Sequence, residues 1–192
     1  MEWIAKPARA PSKLGLLPGS FNPPTRAHVA LAEAALAVVD EVILVIPRSF
    51  PHKTFEGATA EERFEMIRRI ASARRGFGAA IADRGLYIDI VREARSEYPE
   101  ADIHLVCGRD AAERFLTWDY GEPGAAERML EEFRLLVAPR VGWFQPPGHL
   151  VHAVTPLQAG DFDECSSTLV RSGAGLSLVP EEIAELVERI YR

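Results

Sequence analysis

The sequence predicts an α/β fold in which a doubly wound parallel sheet is covered by helices on both faces. Short apolar runs rich in Val, Ile and Leu, typical of buried parallel strands, alternate with longer segments whose apolar residues recur at helical spacing. With 192 residues the chain suits one domain with a sizeable core, since two domains would leave each half small. We therefore expect a single domain over residues 1–192, with residues 1–12 as a loose N-terminal tail.

The first half of the chain shows this alternation clearly. Residues 14–17 are a short apolar run suited to a buried strand, and residues 29–39 are rich in Ala, Leu and Val at helical spacing. Residues 41–46 form a β-branched run that favours a second buried strand. Residues 60–75 then carry apolar side chains along one side of a predicted helix.

The same alternation continues downstream. The sequence predicts a short helix over residues 89–98, a strand over 103–107, helices over 111–116 and 124–132, and a strand over 134–138. Because strands that alternate with helices pair in parallel through right-handed crossovers, these elements belong to one sheet.

In the last part of the chain, the sequence predicts one weak strand and one clear helix. Residues 150–154 form the weak strand, and residues 180–191 form a final helix with Pro180 in its first turn. We expect loops over residues 50–59 and 139–148. The fold thus ends in a short helical part.

Composition and charge exclude several classes of protein. No apolar run approaches the roughly 20 residues that span a bilayer, and the net charge of −6 argues against broad nucleic-acid binding. Two cysteines, Cys107 and Cys165, do not make a disulfide framework. We expect a cytoplasmic protein with no nucleic-acid or membrane partner, whose oligomeric state the sequence leaves open.

The most informative segment joins the first predicted strand to the first helix. It reads Gly-Ser-Phe-Asn-Pro-Pro-Thr-Arg-Ala-His over residues 19–28. Ligands of parallel sheets bind at the carboxyl ends of strands, where a helix N-terminus attracts anions. Gly19 permits close backbone approach and Thr25 is a good N-cap. Because Thr25 and His28 are three residues apart in the first helical turn, we expect both to reach one phosphate.

A second phosphate-binding segment is predicted far downstream, at Ser-Ser-Thr-Leu-Val-Arg over residues 166–171. Hydroxyl side chains cap a helix there, its dipole faces the anion, and Arg171 offers a planar fork of donors. Taken alone, such a segment is usually an ordinary helix cap.

Together the two segments resemble the signatures of the nucleotidyltransferases, in particular the nicotinate and nicotinamide mononucleotide adenylyltransferases. The first resembles their Gly-Ser-Phe-Asn-Pro turn followed by a His/Thr-x-Gly-His motif, with Ala27 in place of the Gly. The second resembles their Ser-Ser-Thr-x-Ile/Val-Arg motif. Pro51, His52 and Lys53 are similar to their Pro-His-Lys loop. The resemblance spans about residues 13–191 and implies a Rossmann-like fold.

The resemblance also implies which residues form the site. The catalytic residues are Thr25, His28 and Arg171, and Trp118 and Asn22 contact the acceptor. The nucleotide-binding residues are Gly19, Ser20, Phe21, Lys53, Gly108, Asp110, Ser166, Ser167 and Thr168.

The implied reaction transfers AMP from ATP to the phosphate of a pyridine mononucleotide and releases pyrophosphate. Such a reaction needs placement and charge neutralisation rather than a protein nucleophile. Mg²⁺ would be held mainly by ATP and water, and no metal site of the protein's own is expected. His149 and His152 do not form one, because in a predicted strand they would point to opposite faces.

Three alternatives remain open from the sequence. The chain has Ile88 where the nicotinate enzymes often carry Thr, so the acceptor is nicotinate mononucleotide, nicotinamide mononucleotide or another phosphorylated compound. A pantetheine-phosphate adenylyltransferase shares the two signatures but lacks the Pro-His-Lys loop. A nucleotide-binding module that has lost turnover would also keep both signatures.

Overall fold

The computed structural model describes residues 1–7, 10–49, 56–139, 144–160, 164–173 and 175–192. Their strands are β1 (Glu2–Ala5), β2 (Lys13–Pro18), β3 (Glu41–Pro47), β4 (Phe77–Ala82), β5 (Asp102–Gly108), β6 (Arg134–Ala138) and β7 (Val154–Pro156). Their α-helices are α1 (Arg26–Ala35), α2 (Ala60–Ala73), α3 (Tyr87–Glu97), α4 (Arg109–Thr117), α5 (Ala125–Met129), α6 (Ser167–Arg171) and α7 (Ala184–Tyr191).

Over the described residues the strands form one sheet in the order β1-β4-β3-β2-β5-β6-β7. Strands β2 to β7 are parallel, and β1 alone runs antiparallel, against β4. The chain winds outward from β2 through β3 to β4, then crosses to β5 on the other side of β2 and winds outward again. The order therefore reverses between β2 and β5, which is where open α/β sheets bind ligands.

The two faces of the sheet carry separate cores. Helices α1, α2 and α7 pack on one face, against side chains such as Val42, Leu44 and Ile46 of β3. Helices α3, α4 and α5 pack on the other face, which receives the alternate side chains Ile43 and Val45. The predicted doubly wound sheet with helices on both faces is confirmed. Within the described ranges, no helix is long and apolar enough to cross a bilayer.

The expectation of a loose tail over residues 1–12 is wrong at its start, because Glu2–Ala5 form the edge strand β1. Trp3 packs edge-on against Tyr98 with ring centroids 5.7 Å apart, and Lys6 lies 5.5 Å from the Trp3 ring centroid. Aromatic burial of this kind fixes a short segment that has no periodic pattern of its own.

Strand β4 was not predicted from the sequence. Its residues Phe-Gly-Ala-Ala-Ile-Ala are all buried, but Gly and Ala are poor strand formers, so propensity gave no signal. Close packing explains these residues: a Cβ atom on Gly78 would lie 2.6 Å from Cδ1 of Ile43 and 3.0 Å from the carbonyl oxygen of Ala5. Tertiary contacts therefore favour small residues in this strand.

Residues 150–154 are not the predicted strand. Gly148–Ala153 form a 3₁₀ helix, and the strand β7 begins only at Val154. His149 and His152 therefore share one side of a 3₁₀ turn instead of pointing to opposite faces, and both are exposed. The described residues contain no group of three potential metal ligands that includes them.

The ends of two other predicted helices differ from the structure. The helix expected over residues 124–132 is confined to Ala125–Met129. The helix expected over residues 180–191 begins with a 3₁₀ turn at Glu181–Ile183 and becomes α-helical at Ala184. Both differences concern helix ends, where hydrogen bonding is weakest.

Candidate active site

A cleft of about 340 Å³ lies at the carboxyl ends of β2, β5 and β6, beside the point where the strand order reverses. Its walls include Pro18, His28, Gly108, Asp110, Ser166 and Ser167. Three of these six residues come from the two signatures and two from the end of β5 and the start of α4, so residues far apart in sequence meet in one cavity. This is the position at which an α/β sheet binds ligands.

Thr25 and His28 form a capping box at the start of α1. The backbone N–H of Thr25 donates to Nδ1 of His28 over 3.0 Å, and the Thr25 hydroxyl oxygen lies 2.8 Å from the same nitrogen. Thr25 is 0% exposed and, unlike His28, is not among the residues that line the cleft. Thr25 instead orients the imidazole ring that lines the cleft.

The turn that precedes α1 has an unusual backbone. Phe21 has a φ of 46°, a left-handed conformation that costs energy for a bulky residue. Its ring is buried and lies 5.2 Å from the His28 ring, centroid to centroid. Gly19 allows this arrangement, because a Cβ atom there would lie 3.0 Å from the Phe21 ring. Gly19 and Phe21 thus shape the turn beneath His28.

Two carbonyl groups of the turn are bound by arginine side chains. Arg63, which is 7% exposed, donates from Nη1 to the Ser20 carbonyl over 3.2 Å. Burial lowers the pKa of the Arg63 guanidinium. Arg171 donates from Nη1 to the carbonyl oxygen of Asn22 over 2.7 Å. The backbone of the turn is thereby fixed from two different helices.

The Asn22 side chain is committed to the protein itself. It is 4% exposed; its Nδ2 donates to the Glu56 carbonyl over 2.8 Å, and its Oδ1 accepts from Ala58 N over 3.3 Å and from the Tyr191 hydroxyl. The predicted contact between Asn22 and an acceptor is therefore not supported by this geometry, because both ends of its amide already have partners.

The second signature lies directly against the first. Ser167 Oγ donates to the Pro23 carbonyl over 2.8 Å, while Ser166 caps α6 by accepting from Leu169 N over 3.2 Å. Arg171 Nη2 donates to Thr168 Oγ1 over 3.1 Å. Two helix starts separated by about 140 residues of sequence therefore meet. Ser166 and Ser167 line the cleft, whereas Arg171 and Thr168 do not.

Strand β5 ends in the cleft at Gly108, and Asp110 follows in the first turn of α4. A Cβ atom on Gly108 would meet no other atom within 4 Å, so packing of the protein does not require glycine there. Its small size leaves space in the cleft instead. Asp110, which the sequence predicts to bind the nucleotide, adds a carboxylate to the cleft wall.

One predicted site residue, Trp118, lies away from this cleft. Trp118 is 41% exposed and lines a separate depression with Asp119 and Tyr120 rather than the cleft. Lys53 lies outside the described residues.

The architecture and the signature geometry agree with a comparison against known families. Residues 16–173 match the family described as cytidylyltransferase-like. The chain belongs to the cytidylyltransferase-like family. The match contains both signatures, so the resemblance inferred from them is confirmed.

Individual members of the family are similar over most of their length. A probable nicotinate-nucleotide adenylyltransferase of Geobacter metallireducens is 30% identical, with 93% of this chain and 98% of that protein covered. The corresponding protein of Maridesulfovibrio salexigens is 29% identical, with 90% and 93% covered. These relatives place the chain among the nicotinate-nucleotide adenylyltransferases of the family.

A solved structure has the same fold. The nicotinic acid mononucleotide adenylyltransferase of Plasmodium falciparum, complexed with NaAD, superposes with a TM-score of 0.62 at 18% identity, with 94% of this chain and 91% of that chain covered. At this identity the comparison establishes that the two proteins share a Rossmann-like fold.

The sequence did not predict one aromatic side chain that lines the cleft of this protein, that of Tyr87. Tyr87 lines the cleft at the start of α3 and stacks on Phe115, with ring centroids 5.7 Å apart and 23° between the planes. Burial raises the pKa of the Tyr87 phenol, so its hydroxyl stays protonated at neutral pH. Tyr87 begins the helix that follows β4. Because β4 was not predicted, the sequence offered no reason to place Tyr87 at the edge of the sheet where the cleft lies.

Arg109 and the two cysteines also line the cleft. Arg109 donates from Nε to Glu113 Oε1 over 2.7 Å, which directs the guanidinium along α4. Burial raises the pKa of the Cys107 thiol to about 12, so Cys107 is a neutral, apolar part of the wall. The chemistry of the site therefore depends on imidazole, hydroxyl, carboxylate and guanidinium groups.

Proposed function

We propose that the protein transfers AMP from ATP to nicotinate mononucleotide, and so forms a dinucleotide and pyrophosphate in NAD biosynthesis. The observation that carries this proposal is the meeting of His28 with Ser166 and Ser167 in one cleft at the carboxyl edge of the sheet. The names of the relatives, which cover nearly the whole chain, give the acceptor class.

The reaction is an in-line substitution at the α-phosphorus of ATP. An oxygen of the acceptor phosphate forms a bond to that phosphorus, the bond to the oxygen that bridges the α- and β-phosphates breaks, and pyrophosphate leaves with the electron pair. The acceptor phosphate is already anionic at neutral pH, so no protein base is needed. The protein must hold two anions in line and neutralise the charge that develops.

His28 supplies the central donor. Because Nδ1 accepts the Thr25 N–H, the neutral ring carries its proton on Nε2. That N–H is then directed to the phosphate oxygens that gain charge as the bond to pyrophosphate breaks. Loss of one such donor from a water-poor site raises the barrier by about 2.7 to 4 kcal/mol.

The remaining cleft residues bind the nucleotide. Asp110 accepts hydrogen bonds from ribose hydroxyls, and Ser166, Ser167 and the backbone N–H groups around them bind the outer phosphates. The backbone of Gly19, Ser20 and Phe21 faces the nucleotide from the other side. Lys53 also serves the outer phosphates. Thr168 accepts a hydrogen bond from Arg171, and Arg171 in turn supports the phosphate site by holding the turn.

Mg²⁺ enters as part of the substrate, bound to the phosphates of ATP. The described residues contain no group of three carboxylate, imidazole or thiol side chains suited to hold a metal, and Mg²⁺ commonly keeps several waters when it binds with a nucleotide. Its role is to neutralise phosphate charge. We place the reaction in the cytoplasm, where nucleotide substrates are made; fractionation of the host cell would test this.

Tyr87, rather than Trp118, provides the aromatic surface that contacts the pyridine ring of the acceptor. Among the described residues that line the cleft, Tyr87 is the one with a phenol side chain, and its ring stacks on Phe115. A pyridinium ring packs favourably against such an electron-rich face. Its protonated hydroxyl can donate to the substituent that distinguishes nicotinate from nicotinamide.

The test is to incubate the protein with ATP and Mg²⁺ and with each pyridine mononucleotide in turn, and to measure pyrophosphate and dinucleotide. We expect both products with nicotinate mononucleotide. Product only with nicotinamide mononucleotide would correct the acceptor. Binding of ATP without pyrophosphate from any acceptor would overturn the proposal in favour of a nucleotide-binding module without turnover.

A further inference from the structure

Tyr191, next to last in the chain, reaches the turn that begins the nucleotide site. It lies at the end of α7, far in sequence from either signature, and its hydroxyl donates to Oδ1 of Asn22. The same hydroxyl oxygen accepts from the backbone N–H of Ala58 over 3.4 Å. One phenol group therefore joins the last helix to two segments of the first half of the chain.

The hydrogen bonds around Asn22 form a closed network. Ala58 N also donates to Asn22 Oδ1 over 3.3 Å, and Asn22 Nδ2 donates to the Glu56 carbonyl over 2.8 Å. Each polar atom of the Asn22 side chain thus has a partner. In a buried network of this kind, removal of one member leaves a polar group unsatisfied.

Gly57 makes room for the phenol ring. It has a φ of 101°, and a Cβ atom there would lie 2.7 Å from Cε1 of Tyr191. A side chain at position 57 would therefore displace Tyr191, apart from the backbone strain that it would introduce. The backbone of residues 56–58 is shaped to receive this tyrosine.

The network lies directly behind functional backbone. Asn22 follows Phe21, whose φ of 46° is sustained only by surrounding contacts, and precedes the Thr25 and His28 pair. Tyr191 therefore bears on the turn that leads into the Thr25 and His28 pair.

Packing alone does not account for the hydroxyl group. The Tyr191 ring packs against the core cluster that includes Val187, and a phenylalanine would fill the same space. Burial raises the pKa of the Tyr191 phenol, so at neutral pH the group is a hydrogen-bond donor. Its donated hydrogen bond goes to Asn22.

We propose that Tyr191 is a positioning residue for ATP, which acts through Asn22 to hold the first signature turn against residues 56–58. This inference rests on the proposed adenylyl transfer, because it assigns the turn to the ATP side of that reaction. It gives the C-terminal helix a part in the site that neither signature contains.

The test is Tyr191→Phe, which removes the hydroxyl and keeps the ring. A net hydrogen-bond contribution of typical size predicts a roughly three- to tenfold fall in kcat/KM for ATP, with the KM for the acceptor unchanged within about twofold. The Kd of a non-hydrolysable ATP analogue, measured by calorimetry, should rise by the same factor. Tyr98→Phe is the matched control, because Tyr98 is buried in the core on the opposite face of the sheet and should leave these constants unchanged.

A double-mutant cycle with Asn22→Ala tests the route of the effect. If Tyr191 acts through Asn22, Tyr191→Phe should have little further effect on the Kd of the analogue in the Asn22→Ala background. Additive effects would overturn that route. Gly57→Ala displaces the Tyr191 ring from the other side and should also raise the Kd of the ATP analogue. It serves as the second variant if Tyr191→Phe does not fold.

The two proposals fail in different ways. If Tyr191→Phe lowers the melting temperature but leaves kcat/KM for ATP and the analogue Kd unchanged, Tyr191 is structural only and the inference is wrong. If the wild-type protein makes no pyrophosphate with any pyridine mononucleotide, the proposed function is wrong, and the analogue Kd of wild type and Tyr191→Phe still decides the role of Tyr191.

Discussion

The backbone N–H of Thr25 and Nδ1 of His28 lie 3.0 Å apart, and this hydrogen bond fixes the imidazole of the cleft. Because a backbone N–H can only donate, Nδ1 must accept, and the neutral ring carries its proton on Nε2. The signature thus has two parts with different tasks: a buried threonine that sets ring orientation and a histidine that presents a donor to the substrate.

His28→Asn separates these two tasks. The amide oxygen of asparagine takes the place of Nδ1 and preserves the capping interaction, while the donor at Nε2 is lost. We expect a roughly hundred- to thousandfold fall in kcat, the usual result of removing one donor from a preorganised site, with a melting temperature close to that of wild type. Steady-state pyrophosphate release and thermal unfolding measure the two quantities. Turnover like that of wild type would remove His28 from the mechanism.

Arg171→Ala tests whether the second signature serves ATP or only caps a helix. The guanidinium donates to the carbonyl of Asn22 over 2.7 Å, so its loss should loosen the turn that faces the phosphates. A charge-assisted hydrogen bond of about 1.5 to 3 kcal/mol predicts a rise of roughly ten- to a hundredfold in the KM for ATP, with the acceptor KM little changed.

Arg26→Ala is a suitable control for Arg171, since Arg26 also donates to a backbone carbonyl, that of Val179, over 3.3 Å. It should change the KM for ATP less than Arg171→Ala does. A change confined to the melting temperature in Arg171→Ala would support the simpler interpretation, in which the second signature only caps α6.

The sequence could predict the sheet where a strand contains a run of large apolar residues. Such runs occur in β2, β3, β5 and β6, and all four strands were predicted. β4 consists mostly of glycine and alanine and is a strand only because β3 and β1 flank it. The antiparallel β1 depends in the same way on a long-range pairing, which local propensity does not encode.

The site was predictable where a motif carries its own geometry. The spacing of Thr25 and His28 placed both on one face of the first helical turn, and the hydroxyls of residues 166 and 167 indicated a helix start. The sequence could not show that Thr25 is fully buried, that Asn22 is enclosed by residues 56–58, or that Trp118 lies in another depression. Each of these outcomes depends on which segments pack together, and that is a property of the assembled fold.

Tyr87→Phe tests how the acceptor is recognised. The variant keeps the ring that stacks on Phe115 and removes only the hydroxyl of this cleft-lining side chain. If this hydroxyl donates to the nicotinate carboxylate, kcat/KM for nicotinate mononucleotide should fall roughly tenfold, as for a hydrogen bond to a charged group, while the KM for ATP stays within about twofold. Tyr120→Phe, which removes the hydroxyl bonded to the Phe115 carbonyl, is the control. Equal effects of the two variants on the acceptor would contradict the assignment.

The buried side chain of His104 should make the stability of the fold depend on pH. It is 4% exposed in β5, and burial lowers the pKa of its imidazole below the ordinary value of 6.5, with the positive charges of Arg134 and Lys13 acting in the same direction and Asp102 opposing them. Since the unfolded chain then binds the proton more readily, stability is fully present above about pH 6.5 and falls as the pH drops toward the folded-state pKa. One proton limits this loss to about 1.4 kcal/mol per pH unit.

His104→Gln removes this titration and keeps a polar side chain near Asp102. We expect the melting temperature of wild type to fall more steeply than that of His104→Gln between pH 7 and pH 5, measured by thermal unfolding in matched buffers. His149→Gln is the control, because His149 is exposed and its removal should leave the wild-type slope in place. Parallel profiles for wild type and His104→Gln would mean that the carboxylates alone govern acid stability, and that the buried imidazole contributes nothing to it.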